Sequence, residues 1–183
     1  MVLKTQRLIL KEISITHLEH IHTLHSIPQV DEFNTLGIPK DSSSTESLVN
    51  EWINLQKVVP RMLYTFCIEQ VEPNEFVGLI ALNLGKLNFR NAEVWYKLHP
   101  DFWKQGYATE ALKKLLEFGF QNLNLHRIEA GSAVDNIASI KVLEKVGMIR
   151  EGRKREVLPI RGKWVDNYFY GILKSDLYQR ESS

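Results

Sequence analysis

The chain has 183 residues, a length that favours one domain spanning residues 1–183. Its formal net charge of +1 gives no general attraction to nucleic acids or membranes, and no apolar stretch approaches the roughly 20 residues that a membrane-spanning helix needs. The single cysteine, Cys67, lies in an apolar run and has no partner for a disulfide within the chain. We therefore expect a cytoplasmic protein with a buried, unreactive thiol.

The first third of the chain predicts one strand and two helices. Leu8-Ile9-Leu10 indicates a short strand, and Ser14 is a suitable cap for the helix that follows. Residues 31–44 are polar and are expected to form a loop. Ser43–Glu46 then fits a capping box for a second helix, whose apolar residues recur at three- and four-residue spacing as far as Val59.

The rest of the chain alternates strands with two helices. Three runs with short connections predict an antiparallel meander, at residues 64–69, 76–84 and 93–98. A helix follows Gly106, a strand covers 128–134, a second helix is capped by Asn136 and stopped by Gly147, and two last strands lie near 148–157 and 164–173. The order β-α-α-β-β-β-α-β-α-β-β predicts an α/β fold with a mixed central sheet.

The junction between Leu98 and Leu112 is suited to binding a phosphate. A strand ends there, and a helix begins after a loop that contains Gly106. The first N–H groups of a helix have no partner within the helix, and the helix dipole adds positive potential. A glycine lets the backbone approach a ligand closely. By itself, however, such a junction is more often only a turn.

Several motifs in this order resemble the GNAT superfamily of N-acetyltransferases. The matching segments are Gly78-Leu79-Ile80, Tyr96-Lys97-Leu98, Trp103–Ala111, Asn136-Ile137-Ala138-Ser139 and Lys145-Val146-Gly147-Met148. Thr5–Leu10 and Gly162–Tyr170 resemble the first and last strands of the branch that acetylates N-terminal amines of ribosomal proteins. The resemblance implies a single domain with a mixed, mostly antiparallel, twisted sheet of about seven strands and helices on both faces.

The same resemblance implies that acetyl-CoA is the cosubstrate. It would lie between the strands Glu93–Leu98 and Arg127–Val134, with its pantetheine arm paired to the backbone near Tyr96 and Leu98. Asn136 would hold the same arm through its side-chain amide, or act only as a helix cap, or do both. The pyrophosphate would accept hydrogen bonds from backbone N–H groups of the loop and helix, namely those of Gln105, Gly106, Tyr107, Ala108 and Thr109. Trp103 stands where the family often has Gln or Arg, so Lys104 is expected to supply positive charge.

Acetyl transfer requires a neutral amine and a route for its protons. An α-amine with a pKa of about 7.7–8.0 is already about a tenth neutral at pH 7, so a modest base acting through water suffices. The resemblance assigns that role to Glu93; the alternative is an exposed strand residue beside Arg90. Leu143 stands where many family members have an acidic tyrosine, so Ser139, one turn earlier, is the alternative donor to the leaving thiolate. A purely structural Ser139, with water as the donor, remains open.

Two other clusters suggest weaker hypotheses. The four histidines between His17 and His25 have no acidic or cysteine partner in the pattern, so no metal site is predicted and a solvated helix face is expected. The basic segment 150–163 is expected to be a solvated hairpin; contact with the CoA 3′-phosphate or with an acidic partner is the alternative.

The acceptor is the least determined part of the function. The branch resemblance favours the N-terminal α-amine of a ribosomal protein; a small-molecule amine (an amino acid, a polyamine or an antibiotic), a non-catalytic CoA-binding module and an RNA-associated factor are the alternatives. Direct nucleic-acid and membrane binding are not expected. The loops at 26–44 and 157–163 are those that would select the acceptor. The branch also makes a homodimer plausible.

Overall fold

A single twisted sheet of eight strands organises the computed structural model, which describes the backbone of residues 1–181 and side chains through Leu177. The strands are β1 Val2–Lys4, β2 Leu8–Glu12, β3 Leu63–Gln70, β4 Phe76–Leu84, β5 Asn91–Leu98, β6 Arg127–Ala133, β7 Ile149–Ile160 and β8 Lys163–Leu173. The helices are α1 Leu18–Ser26, α2 Pro28–Asp31, α3 Ser42–Leu55, α4 Tyr107–Gln121, α5 Ile137–Val146 and α6 Lys174–Glu181. No helix among these residues is long and apolar enough to cross a membrane.

The strand order is β1-β2-β3-β4-β5-β6-β8-β7. Only β5 and β6 run parallel; every other neighbouring pair is antiparallel. The predicted mixed, mostly antiparallel sheet is confirmed, with eight strands in place of about seven. The additional strand, β1, has three residues, which is too few for an alternating pattern to be recognised in the sequence.

Helices cover both faces of the sheet, as expected. One face packs on α4 and α5, whose residues Leu112 and Leu143 are fully buried with Ile80 of β4. The opposite face packs on α1 and α3 through a smaller cluster that includes Leu79. Because side chains alternate along a strand, neighbouring residues Leu79 and Ile80 serve the two cores separately. Cys67 is fully buried in the smaller cluster, and this burial raises the pKa of its thiol, as an unreactive cysteine requires.

The predicted ends of α3 were wrong at both termini. The cap is Asp41, whose carboxylate accepts the backbone N–H of Ser44 at 2.8 Å, and no capping box forms within 43–46. A charged acceptor makes a stronger hydrogen bond than a serine hydroxyl, which explains the earlier start. The helix ends at Leu55, and Val59 is 91% exposed, so the apolar spacing beyond Leu55 does not continue the helix.

The predicted ends of α5 are confirmed. The Asn136 side chain accepts the backbone N–H of Ser139 at 3.1 Å, which is the hydrogen bond of an N-cap. Gly147 ends the helix with φ +94°, a left-handed conformation that glycine adopts without strain. Ser14 also precedes a helical segment as predicted, although its first turn, Ile15–His17, is a 3-10 helix.

Candidate active site

Strands β5 and β6 separate after a short parallel contact. Their register contains Asn91 with Arg127, Ala92 with Ile128, and Glu93 with Glu129, and pairing ends there. Each residue of an antiparallel strand directs its N–H and C=O to the same side, alternating along the strand. His99, directly after β5, donates its N–H to the Val77 carbonyl of β4, so odd-numbered residues direct these groups toward β4 and even-numbered residues of β5 direct them toward the gap. This open edge includes Tyr96 and Leu98, the two residues predicted to pair with pantetheine.

The predicted phosphate-binding loop ends at the start of α4. Gly106 precedes the helix with φ +83°, a left-handed conformation that disfavours other residues, and its carbonyl accepts the Glu110 N–H at 3.0 Å. The preceding N–H groups, including those of Tyr107, Ala108 and Thr109, lie in the first helical turn, where no carbonyl of the helix can reach them. Lys104 is exposed beside this turn, as the predicted source of positive charge requires, and Gln105 is also exposed.

Trp103 fastens this loop to the end of β5. Its indole N–H donates to the Leu98 carbonyl at 2.8 Å. The interaction occupies one acceptor on the open edge and leaves the Leu98 N–H and both main-chain groups of Tyr96 for a ligand. Trp103 therefore holds the loop in place against β5.

Arg7, near the start of the chain, contacts this loop, a role that no local pattern in the sequence predicts. Its guanidinium donates to the Gln105 carbonyl at 3.1 Å and to the Glu110 carboxylate at 2.7 Å, and it lies 4.6 Å from the centre of the Tyr107 ring. Thr5 also donates to Glu110, at 2.6 Å. Partial burial would raise the pKa of Glu110, but these hydrogen bonds lower it overall and keep it ionised. The only signal in the sequence was the motif Thr5–Leu10 in which Arg7 lies.

The two hydroxyl groups nearest the open edge contact one another. Ser139 Oγ lies 3.0 Å from the Tyr96 hydroxyl, so the predicted proton donor and the predicted pantetheine-binding residue are brought together. Burial raises the pKa of Tyr96 to about 12, so its phenol stays protonated at neutral pH. Leu143 is fully buried in the core, which excludes this position from proton transfer.

Glu93 lies on the opposite face of β5, beside Glu129 of β6. The side chain as a whole is exposed, yet the protein around its carboxyl group raises the pKa of Glu93 by desolvation, and the Glu129 charge adds to this effect. Glu129 itself accepts a hydrogen bond from Arg127 at 2.7 Å. No ion pair within 4 Å joins Glu93 to Arg90 in the described part of the chain. Glu93 is thus an accessible carboxylate with a raised proton affinity.

The histidine cluster is not the solvated face that was expected. His25 is 3% exposed, and its burial and the nearby Lys97 charge lower its pKa to about 3. His22 lies 2.8 Å from the Thr45 hydroxyl, and His17 contacts Glu69 at 3.4 Å. Within residues 1–181 no group of three or more metal-binding side chains converges.

The two loops expected to select the acceptor contact each other. Arg161, at the turn between β7 and β8, donates to the Pro28 carbonyl at 2.8 Å and lies 3.6 Å from the Asp31 carboxylate. Both contacts are on the α1–α3 side of the sheet, the side on which Glu93 lies. The tip of the basic hairpin therefore lies on the same side of the sheet as Glu93.

A strand pair that opens beside a glycine-initiated helix is suited to an extended, phosphate-bearing ligand. Residues 7–149 match the family model described as an acetyltransferase (GNAT) domain, and the chain belongs to this family. It is an acetyl-CoA-dependent N-acetyltransferase.

One solved structure and two curated relatives illustrate the similarity. The chain is 28% identical to a GNAT-family acetyltransferase from Bacillus anthracis, with a TM-score of 0.83 over 96% of this chain and 99% of the other. It is 36% identical to the putative ribosomal N-acetyltransferase YdaF of Bacillus subtilis, over 54% of each chain. It is 30% identical to a spermidine N(1)-acetyltransferase from Vibrio cholerae, over 63% of this chain and 66% of the relative.

Proposed function

We propose that this chain acetylates the N-terminal α-amine of a protein, in the cytoplasm, with a ribosomal protein as the acceptor. The observation that carries the proposal is Glu93, one accessible carboxylate with a raised pKa on the acceptor side of β5. A single carboxylate that acts through water is sufficient for an α-amine, which is about a tenth neutral at pH 7, and less so for a primary amine with a pKa near that of lysine, about 10.4. The relative named as a putative ribosomal N-acetyltransferase supports the same acceptor.

In this mechanism acetyl-CoA lies along the open edge of β5. Its pantetheine pairs with the main chain of Tyr96 and with the Leu98 N–H, and Asn136 adds a side-chain contact. The pyrophosphate accepts hydrogen bonds from the N–H groups of Gln105, Gly106, Tyr107, Ala108 and Thr109, and Lys104 supplies charge. The exposed main-chain groups and the left-handed Gly106 support this placement.

Chemistry then proceeds by direct attack. The neutral amine forms a C–N bond to the thioester carbonyl carbon, and Glu93 accepts the amine proton through a water molecule. The C–S bond breaks, and the departing thiolate is protonated through the Ser139 hydroxyl, which contacts the Tyr96 hydroxyl and takes a replacement proton from water as it donates its own. The proton held by Glu93 returns to solvent. A thiol has a pKa of about 8.5, so this leaving group depends only weakly on an acid.

A small-molecule amine is the second candidate acceptor. The spermidine acetyltransferase relative favours a polyamine, and the Glu93–Glu129 pair on the acceptor face offers it negative charge. A non-catalytic CoA-binding module would bind acetyl-CoA without releasing thiol.

A thiol-release screen separates these functions. Short peptides beginning in Ser, Ala, Met or Thr are compared with spermidine and an aminoglycoside at equal concentration. We expect the peptides to give the highest kcat/KM. Faster release with spermidine would contradict the proposal, and binding of acetyl-CoA without release from any acceptor would favour the non-catalytic module. Sedimentation of the same preparation tests the predicted homodimer.

A further inference from the structure

Three side chains of β5 form a stripe on the acceptor face of the sheet: Glu93, Trp95 and Lys97. Their partners on β4 are Asn83, Ala81 and Leu79, and Leu79 belongs to the cluster beneath α1 and α3. Trp95 packs against Trp52 of α3, with ring centroids 5.7 Å apart. Alternate residues of a strand are about 7 Å apart, so the stripe presents an anion, an aromatic ring and a cation at regular intervals.

The charges at the two ends of this stripe are uncommitted. Among the described residues, neither Glu93 nor Lys97 has an ion-pair partner within 4 Å. Neighbouring carboxylates are already engaged, since Glu129 is bound by Arg127 and Asp31 faces Arg161. A ligand along the stripe therefore meets a free carboxylate at one end and a free ammonium at the other.

The Lys97 end has one positive charge in excess. Asp31 is 6% exposed, with Oδ2 at 3.6 Å from Arg161 and Oδ1 without a hydrogen-bond partner. Lys97, Arg161 and Asp31 together carry a formal charge of +1. Burial lowers the pKa of Lys97 to about 8 and the Asp31 charge opposes this effect, so the ammonium is still the main form at neutral pH. A carboxylate of a bound ligand would balance the remaining formal charge of these three side chains.

We propose that Lys97 and Arg161 bind a carboxylate of the acceptor, and that the preferred acceptor is a protein N-terminus with Asp or Glu as its second or third residue. The inference rests on the proposed function. The Cα atoms of Glu93 and Lys97 are about 13 Å apart, and both side chains can lean inward. In an extended peptide, the α-amine is separated by about 4–7 Å of backbone from the second or third residue. The length of that residue's side chain adds to this distance, so its carboxylate can reach Lys97 while the amine lies near Glu93.

The same arrangement disfavours the other acceptors. A free α-amino acid has its amine and carboxylate on one carbon, which is too short a separation to reach both ends of the stripe. A polyamine would place a second cation against Lys97 and Arg161, which repel it. The Lys97 end of the stripe thus attracts an acceptor that carries a carboxylate and repels an acceptor that carries a second cation.

The test compares peptides that differ in one residue. Peptides beginning Ser-Glu, Ser-Gln and Ser-Lys, and the same series at the third position, are assayed for thiol release by wild type, Lys97→Met and Lys97→Glu. We expect kcat/KM to favour Glu over Gln by about tenfold at one of the two positions in wild type. Lys97→Met removes that preference, and Lys97→Glu reverses it in favour of Lys. Lys86→Met, a lysine outside the site, leaves the preference unchanged.

The outcomes separate this inference from the proposed function. Equal turnover of all peptides, or a Glu preference that survives Lys97→Met in a folded variant, overturns the inference and leaves the protein N-terminus as acceptor. Absence of thiol release from every peptide overturns both. Thermal melting confirms that each variant is folded, and the reversal by Lys97→Glu excludes simple loss of packing as the cause.

Discussion

At the scale of single residues, this enzyme depends on side chains whose role is set by their immediate neighbours. Glu93 has a raised pKa because of its surroundings and because Glu129 lies beside it. Arg7 acts on the loop at Gln105, far from it in sequence, through hydrogen bonds and ring contact. Both residues give predictions that kinetics can test.

Glu93→Gln should keep the affinity for acetyl-CoA and lower kcat/KM for the amine. The effect should be largest at acidic pH, where the amine is most protonated and deprotonation is hardest. Glu129→Gln removes a charge that raises the pKa of Glu93, so Glu93 stays ionised to lower pH and the acidic limb of the profile shifts to lower pH. The measurement is kcat/KM between pH 5 and 9, and an unchanged profile for Glu93→Gln would exclude it as the base.

Arg7→Ala should raise the KM for acetyl-CoA on the order of tenfold and change kcat at saturation much less, because it loosens the loop and touches no reacting atom. Arg7→Lys should recover only part of the affinity, since an ammonium cannot make the same set of hydrogen bonds. Arg61→Ala is the matched control, because Arg61 also pairs with a carboxylate, that of Glu12, and lies 4.2 Å from the Tyr64 ring centre. An equal rise in KM for both variants would indicate a general loss of stability.

At the scale of elements, the start of α5 combines a structural and a functional role. Asn136 caps the helix, and its amide N–H groups are proposed to contact pantetheine. The cap holds Ser139 in the first turn, near Tyr96 of β5. One residue thus positions the helix that carries the proposed proton donor.

Two substitutions of Asn136 separate these roles. Asn136→Ala should lower the free energy of unfolding by about 1 kcal/mol and weaken acetyl-CoA binding. Asn136→Asp should retain the cap, since a carboxylate also accepts the Ser139 N–H, but should weaken acetyl-CoA binding because the amide donor is lost. Denaturant unfolding and titration calorimetry measure the two effects, and normal acetyl-CoA affinity in Asn136→Asp would leave Asn136 as a cap only.

At the scale of the whole molecule, the sheet separates two hydrophobic cores that support different helices. The larger core, around Leu112 and Ile80, supports α4 and α5 on the side of the proposed cosubstrate site. The smaller core lies between the sheet and helices α1 and α3, and the buried His25 packs against Trp52 at its edge. We expect protonation of this histidine to affect the stability of the entire fold.

The fold should lose stability as the pH falls below about 6.5. His25 has a pKa of about 3 in the folded protein against a usual 6.5, so the unfolded chain binds the additional proton first. The contribution of neutral His25 to the free energy of unfolding is fully present above pH 6.5 and declines as the pH falls toward 3. At pH 4.5 the free energy of unfolding is lower by about 2–3 kcal/mol on this account. The measurement is the difference between wild type and His25→Leu in unfolding free energy across this range. Parallel curves for the two proteins would show that His25 does not contribute.

Local patterns predicted those features that depend on a few neighbouring residues. Gly147 adopts the left-handed conformation that its position after α5 indicated, and Asn136 caps the same helix. The predicted start of α3 was wrong for a local reason too. Asp41 and the serines that follow it are all suitable caps, and the charged carboxylate of Asp41 makes the stronger hydrogen bond. Buried histidine was not predicted because His25 faces Trp52 of a different helix, at 6.2 Å between ring centres.

The sequence by itself determined the fold class, seven of the eight strands, the strand–loop–helix junction after Leu98 and, by resemblance, the cosubstrate. These depend on periodicity and on short motifs, which are properties of neighbouring residues. Only the tertiary structure decided that Arg7 holds the loop at Gln105, and that Asp31, whose charge acts on Lys97, also contacts Arg161. Such contacts join residues far apart in the chain, and their partners are fixed by how the sheet and helices pack.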